Sequence, residues 1–111
     1  MLKEYRRGEI FWYDFTYHHK GSEQKGLRPC IIVSNDICNQ NSPVITGVPC
    51  TTAHRKPLPI HTTAITGFRR STVLCELVCS IDKSRLGDYI GTVTEDEMSR
   101  IEKCLRIQLE I

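Results

Sequence analysis

The apolar positions of this chain predict strands almost everywhere except at its end. Glu9-Ile10-Phe11-Trp12-Tyr13-Asp14-Phe15 is aromatic-rich and fits a first strand, with Phe11, Tyr13 and Phe15 on one face and Ile10 and Trp12 on the other. A second strand runs from Pro29 to Ser34, its Cys30-Ile31-Ile32-Val33 reading as a short core segment. The stretch from Asn35 to Pro43 is turn-forming throughout, and Val44 to Pro49 supplies the third strand of an apparent hairpin. Ile60 to Ile65 and Thr72 to Val78 follow, separated by Gly67-Phe68-Arg69-Arg70, and a last short strand covers Tyr89 to Val93.

The periodicity then changes. Thr94-Glu95-Asp96-Glu97 carries the threonine and the acid three residues on that mark a capping box, with carboxylates well placed at a helix amino end. Met98, Ile101, Leu105 and Leu109 recur at three- and four-residue spacing, so one stripe of this carboxy-terminal helix is able to cover the open face of a sheet. Five or six short strands closed by one amphipathic helix predict a mainly β fold, a strongly curved sheet or small half-open β-barrel, in one domain over residues 1–111.

Composition narrows the class. The 111 residues are 40% hydrophobic and 25% charged, near globular averages, which argues against disorder or a fibrous chain. Fifteen basic against thirteen acidic residues leave a net charge of +2, so any site for a polyanion must be local. No run approaches the ~18 apolar residues of a membrane span and the amino terminus lacks the apolar stretch of a signal peptide, so a cytoplasmic location without membrane association is expected. The six cysteines, several in strand-like apolar runs, read as reduced thiols. No Cys-x-x-Cys occurs and no metal is expected.

Chemistry concentrates in Gly21-Ser22-Glu23-Gln24-Lys25-Gly26-Leu27-Arg28-Pro29, an acid, an amide, a hydroxyl and a guanidinium in a turned segment that places Arg28 at a strand mouth. His54-Arg55-Lys56 follows the third strand, and with Lys20, Lys25 and Arg28 it outlines a basic groove for a single-stranded backbone, Arg55 or Lys56 making contact. Tyr17 is placed to stack a base. His18 and His19 lie at a hairpin tip, where contact with such a backbone or solvation is expected rather than catalysis, and His61 in its strand reads as a hydrogen-bonded structural histidine.

Arg7-Gly8-Glu9-Ile10, Gly21-Ser22-Glu23-Gln24, Gly26-Leu27-Arg28-Pro29, Ser34-Asn35-Asp36 with Asn39 and Ser42-Pro43, Val48-Pro49-Cys50-Thr51-Thr52 and Ile81-Asp82-Lys83-Ser84-Arg85-Leu86 together resemble the MazF/PemK toxin family, in its order and nearly its spacing, over roughly residues 6–109. The resemblance implies an SH3-like barrel of the CcdB/PemK type acting as a homodimer. It implies a sequence-specific, ribosome-independent endoribonuclease that cuts single-stranded RNA without a cofactor, leaving 2′,3′-cyclic phosphate and 5′-hydroxyl ends, and is inhibited by a MazE-like antitoxin.

In-line attack by a 2′-hydroxyl builds charge on the phosphoryl oxygens, which suits a permanently cationic bidentate donor, and Arg28 takes that role. The family's second catalytic position, a threonine after the third strand, falls on Thr51. Alternation in an extended chain sends Thr51 and Thr52 to opposite faces, so only one of them is expected at the phosphate. Glu23 is the candidate general base, and Ser22, Gln24, Tyr17, Arg55 and Lys56 are candidate RNA contacts. Leu77 and Cys79 stand where relatives often carry glutamine and a basic residue, so no RNA contact is expected there. Two other readings share the barrel. A CcdB-like poison of a protein target lacks the Gly-Ser-Glu-Gln and Arg-Pro pairing, and an SH3-like RNA-binding module without activity explains the basic loops equally well.

Overall fold

The computed structural model describes residues 3–16 and 26–111. Seven strands run in the order β1 (Glu9–Asp14), β2 (Leu27–Ile32), β3 (Val44–Thr51), β4 (His61–Thr66), β5 (Arg69–Leu74), β6 (Cys79–Asp82) and β7 (Tyr89–Thr92), with helices α1 (Asp36–Asn41) and α2 (Glu95–Leu109). They form one antiparallel sheet ordered β4-β5-β3-β2-β1-β7, with β6 also on β3. The mainly β, half-open barrel with a carboxy-terminal helix is therefore the fold expected.

The curl originates in β3. Its first half, Val44 to Gly47, pairs with β6, and its last residues, Cys50 and Thr51, pair with β5, while β2 holds the opposite edge from Gly47 to Pro49. A strand that changes partner midway must bend its sheet. Pro49, which has no N–H to donate, falls in the gap between the two pairings. Gly47 is required by close approach, because a Cβ there would sit 2.4 Å from Cys30 Sγ.

β1 and β2 send buried side chains to both faces, as alternation allows in strands between two cores. Ile10, Ile31, Val33, Val48, Val73 and Cys75 pack with Ile101 and Cys104 of α2. Phe11, Tyr13, Phe15, Cys30, Ile32, Ile45 and Ile81 form the second core on the other side, with Tyr13 and Phe15 edge to face at 4.7 Å. The expected split of β1 into two faces holds, except that Trp12 reaches the surface at 38% exposure while Ile10 is buried.

Three expectations are corrected. The turn-forming stretch contains α1, because the same asparagine and aspartate that favour turns also cap helices. Asn35 accepts from Cys38 N at 2.9 Å, and buried Asn39 donates from Nδ2 to Ser34 O at 2.8 Å. The strand placed over Thr72 to Val78 begins at Arg69 and stops at Leu74, where Cys75–Leu77 turns as a 3₁₀ helix, and β6 follows unforeseen. β2 also starts two residues early, pairing Leu27 with Asp14 and Arg28 with Tyr13, so Arg28 lies inside the strand rather than at its mouth.

At α2 the capping box is complete: Thr94 N donates to Glu97 Oε1 at 2.8 Å, and Glu97 N to Thr94 Oγ1 at 3.1 Å. Ile101 is fully buried, whereas Leu109 ends the expected stripe at 51% exposure because the last turn runs past the core. Arg7 joins the elements by donating to Val33 O and to the Glu102 carboxylate. Its own N–H donates to Asp36 Oδ1 at 2.7 Å, which holds the Asp36 carboxyl below its usual range.

All six cysteines are free thiols. Burial pushes Cys75 up to about 12 and Cys79 to about 11, so these thiols stay protonated at neutral pH. No helix among the described residues is long and apolar enough to cross a membrane.

Candidate active site

Arg28 and Thr51 arrive at one place from different strands. Arg28 is the second residue of β2, and Thr51 is the last residue of β3, set across from Thr72 of β5. Both line a cleft of about 670 Å³ whose walls also include Trp12, Thr52, Phe68 and Arg69. Among the described residues, Arg28 and Arg69 are the charged residues that line it, and no carboxylate does. The local potential is therefore positive although the chain as a whole is nearly neutral.

The donors suit an anion. Arg28 spends Nη1 on Leu27 O at 3.2 Å, while its buried Nε has no hydrogen-bond partner among the described residues. A buried donor without a partner is costly, so an oxygen-rich ligand at this spot would be stabilised. Thr51, 3% exposed, accepts from Ala53 N at 3.1 Å through Oγ1. That bond occupies a lone pair and leaves the hydroxyl proton available to donate.

Thr52 is exposed and lines the cleft as well. The expected alternation between Thr51 and Thr52 does not separate them, because β3 ends at Thr51 and the period-2 rule ends with it.

Other candidates fall elsewhere. Arg55 and Lys56 are exposed on the connection between β3 and β4 and line no part of the cleft. Arg55 instead borders a separate pocket of about 170 Å³ with His61, Thr63 and Thr72. His61 is partly buried, its Nε2 lying 2.8 and 3.0 Å from the Glu76 carboxylate oxygens, the hydrogen-bonded setting expected of it. Asp82 accepts from Ser84 N at 2.9 Å and Ser84 Oγ at 2.8 Å, which lowers its pKa and organises a turn.

The PemK-like, MazF-like toxins of type II toxin–antitoxin systems match residues 6–109. The chain belongs to the PemK/MazF toxin family. Endoribonuclease EndoA of Bacillus subtilis (strain 168) is 34% identical to it over 111 residues, spanning 96% of this chain and 95% of the relative. A mycobacterial endoribonuclease solved in complex with its cognate antitoxin superposes with a TM-score of 0.81 at 27% identity, covering 96% of this chain and 95% of that one. MazF (Form-I) from Deinococcus radiodurans shares the fold at a TM-score of 0.85 and 23% identity, over 99% and 100% of the two chains.

For this PemK/MazF chain, Tyr17, Ser22, Glu23 and Gln24, together with His18, His19, Lys20 and Lys25, lie outside the described residues. The cleft also holds residues that sequence reasoning passed over, namely Arg69, Phe68, Trp12 and Tyr89. For Phe68 a signal existed: a two-residue turn starting with glycine has no use for an apolar ring at its next position.

Proposed function

We propose that this PemK/MazF-family endoribonuclease cleaves single-stranded RNA in the cleft shared by Arg28 and Thr51. The observation that carries the reading is that these two side chains, far apart in sequence, line one cleft, in which Arg28 and Arg69 are the charged residues among those described. The relatives' activity supports the enzyme class, and the donor set supports phosphodiester chemistry.

The 2′-oxygen of one ribose attacks the adjacent phosphorus, forming the 2′,3′-cyclic phosphate as the bond to the 5′-oxygen of the next nucleotide breaks. The 2′-hydroxyl gives its proton to a base, and the departing 5′-oxygen gains one. Arg28 meets the charge that grows on the non-bridging oxygens, and Thr51 donates its hydroxyl proton to the same phosphoryl group. Glu23, the glutamate that the family resemblance puts forward for this role, is the candidate base. Tyr17, Ser22, Gln24, Arg55 and Lys56 extend the contact along the strand. No cofactor takes part. Residues 1–111 act as one domain, two copies form the working dimer in the cytoplasm, and an acidic, partly apolar segment of a MazE-like antitoxin inhibits by competing with RNA for the positive cleft.

The test is incubation of purified protein with a long mixed-sequence RNA in excess EDTA, followed by mapping of the new ends. Discrete cuts with 5′-hydroxyl ends are expected, and 2′-deoxy ribose placed at a mapped cut should abolish cutting there. Cuts bearing 5′-phosphates, or cutting that stops in EDTA, would contradict the mechanism. RNA bound but left intact would contradict the enzyme.

A further inference from the structure

The cleft has an aromatic rim that the phosphate chemistry does not use. Thr66 pairs with Arg69, so β4 and β5 are joined by the two-residue turn Gly67-Phe68, with Gly67 at φ +72°. A turn of this length asks for glycine at its first position and for nothing apolar at its second. Yet Phe68 stands there fully exposed, with its ring in water at the mouth of the cleft. Trp12 and Tyr89 line the same cleft and are also exposed, Tyr89 at 54%. Tyr89 is fixed in part by the hydrogen bond between its hydroxyl and Thr92 Oγ1 at 2.6 Å. Single exposed apolar residues are ordinary, but three aromatics on one cleft between two arginines are a composed surface.

Its chemistry selects the occupant. Planar rings with π faces line the cleft with Arg28 and Arg69, and among the described residues threonine hydroxyls are present without a carboxylate. That combination fits a polyanion carrying flat rings, since aromatic side chains stack unpaired bases while arginines follow the backbone. We infer that Phe68, Trp12 and Tyr89 form a stacking site for bases of the RNA strand next to the scissile phosphate, with Arg69 meeting a neighbouring backbone phosphate. The inference rests on the nuclease reading above and adds residues that position the substrate. Stacking is tolerant of base identity, so this rim adds affinity and register rather than sequence choice.

Trp12 is the chain's one tryptophan, so its fluorescence reports the cleft directly. The probe is a short RNA spanning a mapped cut, with 2′-deoxy ribose at that cut so that it binds without reacting. Saturable change of Trp12 emission is expected on titration. Phe68→Ala should raise Kd roughly 5- to 150-fold, while Phe68→Tyr stays near wild type. Replacing bases singly by abasic sites should locate one position at which the base loss and Phe68→Ala are strongly non-additive, a coupling that a structural role for Phe68 would not produce. Thermal unfolding of Phe68→Ala should match wild type, since the ring is in water.

The inference is overturned if wild type cuts RNA but Trp12 emission stays constant and Phe68→Ala binds normally, an outcome that leaves the nuclease reading intact. It is equally overturned if Phe68→Ala changes only the sedimentation of the free protein, which would make the rim a protein interface. Failure of wild type both to cut and to bind the parent RNA would instead bring down the nuclease reading and this site with it.

Discussion

The Thr51 hydroxyl does two things with one oxygen. It accepts from Ala53 N and so fixes the backbone where β3 ends, and it retains a proton for a ligand. Thr51→Ser keeps both functions and should cut RNA within a few-fold of wild type. Thr51→Val keeps the shape and loses both the acceptor for Ala53 N and the donor, so single-turnover cleavage should fall roughly a hundredfold or more, a hundredfold being the usual scale for one lost transition-state donor. Equal rates for the two variants would remove Thr51 from the chemistry. At this scale, Arg28 and Thr51 were legible from the sequence because the resemblance placed them and charge development explained the arginine. Trp12, Phe68, Tyr89 and Arg69 were not, because their meeting depends on how far the sheet curls. Alternation correctly split Trp12 from Phe11, but no local pattern says that Trp12 borders a cleft while Ile10 enters the core.

Among the elements, the β4–β5 hairpin matters most for the cleft, since its turn carries Phe68 and Arg69. β4 is an edge strand, so some of its backbone donors have no strand to pair with. Glu97 supplies one acceptor: its Oε2 takes Ile65 N at 2.8 Å, while Oε1 completes the α2 capping box. One buried carboxylate thus ties the hairpin to the helix start. Glu97→Gln replaces one acceptor by an NH₂ group facing a donor, and it should lower stability by about 1–3 kcal/mol, seen as a reduced urea midpoint with unchanged slope. An unchanged midpoint would show that the tie contributes nothing. Helix α2 was legible because cap and periodicity agreed. Helix α1 was hidden because Asn35, Asp36 and Asn39 favour turns and caps alike, and four-residue β6 was hidden behind the 3₁₀ turn at Cys75.

Over the whole molecule, the half-open barrel follows from a sheet whose β1 and β2 contribute to two cores, one against α2 and the other in the Phe11, Phe15 and Ile81 cluster. The number of strands and the terminal helix made that class legible. The handover of β3 from β6 to β5 was not, because it is a property of pairing rather than of any one segment. Yet this handover carries Cys50 and Thr51 over to β5 while β2 keeps its place beside the middle of β3, and the cleft lies where Arg28 and Thr51 meet. The central claim is that RNA is cut there, and the most direct measurement is single-turnover cleavage of one mapped RNA by wild type, Arg28→Lys and Arg28→Ala at saturating protein. The account predicts losses of roughly a hundredfold or more for Arg28→Ala and only partial recovery in Arg28→Lys, which cannot offer two parallel hydrogen bonds, with native circular dichroism throughout. Cleavage by folded Arg28→Ala at the wild-type rate would contradict it and move the chemistry out of this cleft.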